Sequence, residues 1–293
     1  MTAAATTRRR QGAKDTWREF TRHKGGVIGL ALLIVIVLLA LLVPVLVPIE
    51  TLNVTRVTAA PNEAPSTAHL LGTDTLGRDQ LGMLAWGTRI SLLVGFTATA
   101  VSMVIGTIVG MLAGHLTGRG QWIMLRIIDF FLVIPSLVLA MVLSAVLAKG
   151  VITIIIAIGV TSWAGTARVV RSQTLTIEAR AYIERSRALG ASGSQILAWH
   201  VLPAVMPLVM ANTTLQVGSA IIAESTLSFL GLGDSSVVSW GSMLKQASDL
   251  GAATAGFWWQ VLPPGVAIVI VVMCFTLVGR ALESVINPTL RRR

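Results

Sequence analysis

The groups with which this chain could do acid–base, nucleophilic or metal chemistry are few: 13 carboxylates, 4 histidines and 1 cysteine (the carboxylates as Asp+Glu) among 293 residues. His23, His69, His115 and His200 stand far apart, at no zinc-holding spacing, and no Gly-x-Ser-x-Gly turn is present to raise a nucleophilic serine. A phosphate-cradling Walker loop ends in Gly-Lys-Ser/Thr, and none of Lys14, Lys24, Lys149 and Lys245 follows a glycine. The chain cannot hydrolyse ATP by that route. Two acids stand out by their surroundings. Asp129 and Glu224 fall at or inside long apolar runs, where an ionisable group is costly and functional by default. Asp129 can pair with Arg126, one helical turn earlier. Glu224 can bond to a neighbouring helix, or serve as a gate or subunit contact. A proton relay built on these two acids would make a secondary transporter, one of two transporter classes to be weighed.

The elements that must position these residues are apolar. The composition is 54% hydrophobic and 12% charged, with a mean hydropathy of +0.78, against about 25% charged residues in an ordinary soluble domain. That excludes a soluble enzyme and a disordered scaffold. Cys274 is the only cysteine, so the chain forms no internal disulfide. Six apolar runs are long enough to cross a bilayer: 27–47, 90–112, 127–147, 151–170, 205–230 and 266–282. Backbone groups in lipid must be satisfied within the segment, so each run predicts a helix, and the runs are too long for barrel strands. The first run is longer than a signal peptide's apolar region and lacks a small-residue cleavage site, which makes it an anchor.

With the N-terminus in the cytoplasm, 18 of the 23 lysines and arginines fall on the inner side, leaving Arg56, Arg78, Arg89, Lys149 and Lys245 outside. This is the positive-inside bias. The net charge of +10 is therefore a topology signal, with no nucleic-acid partner implied, and both termini are expected in the cytoplasm. The expected organisation is a basic N-terminus over 1–24 and a transmembrane domain over 25–293. The latter has an outer segment at 48–86, an inner segment at 171–204 and an outer loop at 231–262. Trp86, Trp163, Trp199, Trp240, Trp258 and Trp259 lie near run ends, where indoles suit headgroups. In the second run, Ser91, Gly95, Thr99, Ser102, Gly106 and Gly110 recur every three or four residues, which lets helices approach closely, within the bundle or in a partner subunit.

The inner segment is too charged for lipid. Leu175, Tyr182, Ile183 and Leu189 recur at helical spacing among Glu178, Arg180, Glu184, Arg185 and Arg187, predicting three or four helical turns. Gly190 can end that helix, and Ser192 can cap a second short one over about 193–200. Leu202 and Pro203 begin the fifth run. Two short helices joined at a glycine and continuous with membrane helices make a lever that fits a partner's groove. The same segment could instead lie along the membrane surface.

Glu184-Arg185-Ser186, three residues, Gly190, then Leu202-Pro203 resembles the EAA signature of ABC-importer permeases. Arg185 and Ser186 replace its two alanines, and His200 stands at its isoleucine. Three further blocks resemble the C-type permeases of dipeptide, oligopeptide and nickel importers. They are Arg22-His23-Lys24 with Gly29-Leu30; Gly72-Thr73-Asp74, Gly77-Arg78-Asp79 and Gly87 to Leu92; and Glu224-Ser225, Leu227 to Gly233 and Ser239-Trp240-Gly241. Residues 234–238 lack the prolines usual before that Ser-Trp-Gly.

The resemblance implies an all-α polytopic membrane protein with the six-helix type I ABC importer permease fold, in a bacterial inner membrane. It implies a second homologous permease subunit, two cytoplasmic ATPase subunits and an extracytoplasmic solute-binding protein as partners. ATP and magnesium belong to the ATPases, and no cofactor is expected in this chain. Coupling to the ATPase would fall to Glu184, Ala188, Leu189, Gly190, Ala191, Leu202 and Pro203. Asp74, Arg78, Asp79, Glu224 and Trp240 are the candidates for an outer gate or for docking the binding protein. For the first three, a salt-bridged turn built on Gly72 and Gly77 is the alternative. Peptides are the leading cargo, with nickel and haem as alternatives.

Overall fold

The computed structural model describes residues 17–286. Residues 1–16 and 287–293, which include Arg8, Arg9, Arg10, Arg291, Arg292 and Arg293 of the basic termini, lie outside the described residues. The helices are α1 (Lys24–Leu46), α2 (Gln80–His115), α3 (Gly118–Val133), α4 (Ser136–Val146), α5 (Val151–Thr161), α6 (Ala164–Glu178), α7 (Ala181–Ala188), α8 (Gly193–Ile196), α9 (Leu202–Phe229), α10 (Trp240–Asp249) and α11 (Trp258–Ile286). Strands are absent among the described residues.

Four helices are long and apolar enough to cross a membrane unaided, the third being α8 and α9 read as one helix over Gly193–Phe229. The other two predicted crossings are each bent. α3 and α4 meet at 86°, and α5 and α6 at 40°. The first bend follows from Pro135, which cannot continue a helix and forces Ile134 into extended backbone. No side chain caps α4. Counting each bent pair as one span gives up to six crossings, the expected number, with the third and fourth not straight rods.

α2 is the axis of the molecule. Its 36 residues span about 54 Å at 1.5 Å per residue. It begins at Gln80, ten residues before the predicted run, so the last part of the expected outer segment, 80–86, is helical. The Asp79 carboxylate caps it by accepting from the Gly82 amide at 2.8 Å. The small-residue stripe packs inside this chain. A Cβ on Gly95 would come within 2.5 Å of Ile221 on α9, and one on Gly106 within 2.8 Å of Thr166 on α6. Gly110 and Gly114 press equally close to Ala167 and Thr174 of α6. α9 packs in turn on α11, and α11 on α1, where Gly26 meets Ala281.

Two expectations are corrected here. Trp163, Trp240 and Trp259 are buried: Trp163 lies 5.0 Å from the Phe131 ring, Trp240 lies against Gly87 of α2, and the Trp259 indole packs under Gly72 and donates to the Thr73 carbonyl at 3.2 Å. Asp129 pairs with Arg168 of α6 at 3.4 Å, not with Arg126, whose guanidinium lies over the Trp122 ring at 5.3 Å.

Candidate functional site

At the end of α2 marked by His115, the chain makes an elbow. The expected three- or four-turn helix over the charged segment is instead two pieces. Residues 174–178 continue α6, the chain turns at Ala179-Arg180, and α7 has eight residues. Arg180 takes extended backbone (φ −84, ψ 140), which interrupts the helix. α7 ends as expected at Gly190, in the left-handed region at φ +88, where a side chain would strain the backbone. The Ala191 amide reaches back to the Ser186 carbonyl at 3.0 Å and the Gly190 amide to Arg187 at 3.0 Å, closing the C-terminus. Ser192 then caps α8 reciprocally with Gln195. A π-helical turn, Leu197–Val201, joins α8 to α9 without a break. The second helix is therefore not separate, and Leu202 and Pro203 continue it.

The elbow is held from beneath and open above. Ile183 and Ile196 are buried with Ile177, Val201 and Val205. Glu184, Ala188 and Gly190 are exposed, Ala191 is half-buried, and Leu189 is 89% exposed. A Cβ on Gly190 would meet nothing within 4 Å. Glu184 has no ion pair among the described residues. The structure thus brings Glu184, Ala188, Leu189, Gly190 and Ala191 onto one small bent ridge. Leu202 and Pro203 sit one turn beyond it at the root of α9.

At the opposite end of α2, Asp74 is buried. Its carboxylate accepts from the Leu76 and Arg78 amides, each at 2.8 Å, and binds the Arg78 guanidinium through Nε at 2.8 Å and Nη2 at 2.7 Å. Gln246 of α10 donates to Asp74 at 3.1 Å and accepts from Arg78. Gly72 and Gly77 both lie at positive φ, as the expected turn requires. Asp79 stands apart from this pair, capping α2 and meeting His69 Nδ1 at 2.8 Å.

Glu224 is 1% exposed and surrounded by hydroxyls. It accepts from Ser91 at 2.9 Å, Ser228 at 2.8 Å and Ser225 at 3.3 Å. The Trp240 amide donates to the same Ser91 oxygen at 3.3 Å, and its indole to the Leu84 carbonyl at 3.3 Å. Four of the five residues thus fall into two clusters, Asp74 with Arg78 and Glu224 with Trp240, and α10 touches both; Asp79 belongs to neither. Beside them lies a cavity of about 810 Å³ lined by Glu50, Arg78, Lys149, Asp234 and Lys245. Hydrogen bonds from the Ser236 hydroxyl and amide hold the Asp234 carboxyl below its usual range.

Sequence reasoning missed Gln246, which secures Asp74, and Glu178. The Glu178 carboxylate meets His115 Nδ1 at 2.6 Å and also binds Arg187. Nothing in local spacing marks these partners, which stand 172 and 63 residues away in sequence.

Residues 106–292 match the family of binding-protein-dependent transport system inner membrane components. The chain belongs to this family. Residues 13–65 of the permease also match the N-terminal TM domain of oligopeptide transport permease C. The permease is 37% identical over 280 residues to the dipeptide transport system permease protein DppC of Bacillus subtilis (strain 168), covering 95% of this chain and 86% of that one. It is 36% identical over 280 residues to the oligopeptide transport system permease protein OppC of the same organism, covering 95% and 90%. Among solved structures, the inward-facing MetNI methionine ABC transporter shares the fold at a TM-score of 0.55 and 22% identity, over 69% of this chain and 96% of that chain. The permease is a multi-pass membrane subunit of an ABC importer, with the type I fold expected from the elbow motif. It works with an ATPase and a binding protein.

Proposed function

We propose that this permease passes dipeptides or short oligopeptides through the cytoplasmic membrane as half of a heterodimeric pathway. Its partners are a second homologous permease, two cytoplasmic ATPases that bind ATP and magnesium, and an external solute-binding protein. The observation that carries the reading is the elbow. A bent ridge, apolar at Ala188 and Leu189 and acidic at Glu184, is exposed on the surface between α6 and α9. A groove in an ATPase is the partner such a ridge fits. Peptide cargo is supported by the relatives, which are named for dipeptide and oligopeptide transport.

The elbow end faces the cytoplasm in this reading, with Arg119, Arg126, Arg168, Arg171 and Arg187 placed by the positive-inside rule. The Asp74, Arg78 and Trp240 clusters then face outward, next to the 810 Å³ cavity. A proton relay is less well supported, because Asp129 pairs with Arg168 and the partners of Glu224 are serines, which do not titrate.

The test is uptake in vesicles carrying the intact complex. Uptake is expected to collapse when ATP is depleted with the proton gradient held constant, and continued uptake overturns the reading. Mass spectrometry of ligand retained by the purified binding protein reads the cargo, with peptides expected and a metal complex or haem counting against them.

A further inference from the structure

α2 touches both functional ends, and its two halves are zipped to different neighbours. In the half nearer Asp79, Gly87 lies against Trp240, Ser91 bonds Glu224 and Trp240, and Gly95 lies against Ile221. In the other half, Gly106, Gly110 and Gly114 lie against α6 so closely that any Cβ there would come within 2.8 Å of a neighbouring atom. Contacts that close couple the two helices, because either one moving apart gives up this packing.

The end of this zipper is tied to the elbow by polar groups. Arg171 Nε of α6 donates to the Ala113 carbonyl at 3.3 Å, one of the carbonyls left open at a helix end. His115, the last residue of α2, offers its Nδ1 hydrogen to Glu178 Oε1 at 2.6 Å. The other oxygen of Glu178 binds Arg187 of α7. The far edge of the same ring abuts α8, where a Cβ on Gly193 would come within 2.5 Å of His115 Nε2. The Glu178 side chain is 11% exposed and that of His115 19%, so both bonds are shielded from water. One imidazole and one carboxylate therefore join α2, α6, α7 and α8.

We infer that His115 and Glu178 are positioning residues that fasten the elbow to α2, so that displacement of the elbow reaches Trp240 and α10 through α2 itself. The inference rests on the reading of the elbow as the ATPase-docking element. Without this knot, α7, bounded by the breaks at Arg180 and Gly190, would lose its polar tie to α2.

The experiment uses the complete complex in lipid, with a spin label on Leu250→Cys, next to α10. Leu250 is exposed, and the native Cys274 is buried. Trapping the ATPases with ATP and vanadate is expected to change the label's mobility in the otherwise unmodified complex. His115→Ala is expected to lose that response and at least tenfold of uptake, with ATP hydrolysis kept within twofold. His115→Asn, whose amide nitrogen takes the place of Nδ1, is expected to restore uptake to within threefold. Should His115→Ala fail to assemble, His115→Gln, which keeps bulk but offers no donor at that position, is read by the same criteria. An intact label response in either variant, parallel loss of uptake and hydrolysis, or no rescue by asparagine overturns the inference. No peptide uptake by the unmodified complex, with the label still responding, counts against the cargo reading alone.

Discussion

Ser186 Oγ lies 3.4 Å from His200 Nε2, across the glycine elbow. These residues are two of the chain's three departures from the EAA pattern, and the fold brings them together. The Ser186 hydroxyl donates to the Tyr182 carbonyl at 3.0 Å, leaving its oxygen to accept from the imidazole. The Tyr182 ring meets the same imidazole edge-on at 5.8 Å. The pair substitutes a polar contact for the alanine and isoleucine expected at these positions, and holds α7 against the π-turn.

The two substitutions are therefore coupled. Ser186→Ala and His200→Ile should each lower the thermal stability of the purified permease, by about 1 kcal/mol for one lost hydrogen bond. The double variant should recover at least half of the summed loss. A double-mutant cycle on melting curves checks this, and strict additivity removes the compensation.

Gly190→Pro should leave the permease inserted and its complex assembled while uptake falls at least tenfold. Proline fixes φ near −65°, which φ +88 cannot accommodate. Gly190→Ala meets no neighbour, so its cost is backbone strain of about 1 kcal/mol and its effect on uptake should be milder. Paired uptake and ATPase assays decide, and full transport by the proline variant removes the lever.

Asp74→Asn should destabilise by about 3 kcal/mol, because it leaves the Arg78 guanidinium shielded and without a countercharge. Asp74→Ala with Arg78→Ala should cost less than the sum of the single changes. Melting temperature reads stability, and capture of the binding protein reads docking. Loss of capture by an otherwise stable charge-swapped pair would assign these residues to docking.

Glu224→Ala should cost about 2 kcal/mol by leaving the Ser91, Ser225 and Ser228 hydroxyls without their acceptor. Glu224→Gln keeps an acceptor and should retain most uptake. Uptake that tracks the stability loss fits an anchor for α10. A glutamine variant that is stable but inactive points to a gate.

The elbow is legible in sequence because its signals are local. Gly190 marks the bend, Ser192 with Gln195 marks a helix start, and a charged stretch between apolar runs marks an excursion from the membrane. The crossings are legible for the same reason, as length and composition define them. The break at Arg180 is not legible, since nothing in the Glu178 to Ala181 stretch opposes a helix by its own preference. Nor is the Arg168 partner of Asp129, because Arg126 stands at an equally good spacing on the same helix. The clusters around Asp74, Glu224 and Glu178 depend on residues that only the packing of α2 brings close.

The 86° bend at Pro135 bears on how the subunit matures. The amides of Ser136, Leu137 and Val138 have no acceptor among the described residues. Each such group would cost several kcal/mol if it faced hydrocarbon, and Ser136 and Leu137 line a cavity of about 390 Å³ with Thr161, Ser162, Gln216 and Ser219. A newly made copy would need water in that cavity, or another polypeptide over it, to satisfy the corner. Orphan copies of the subunit should be the ones that membrane proteases clear.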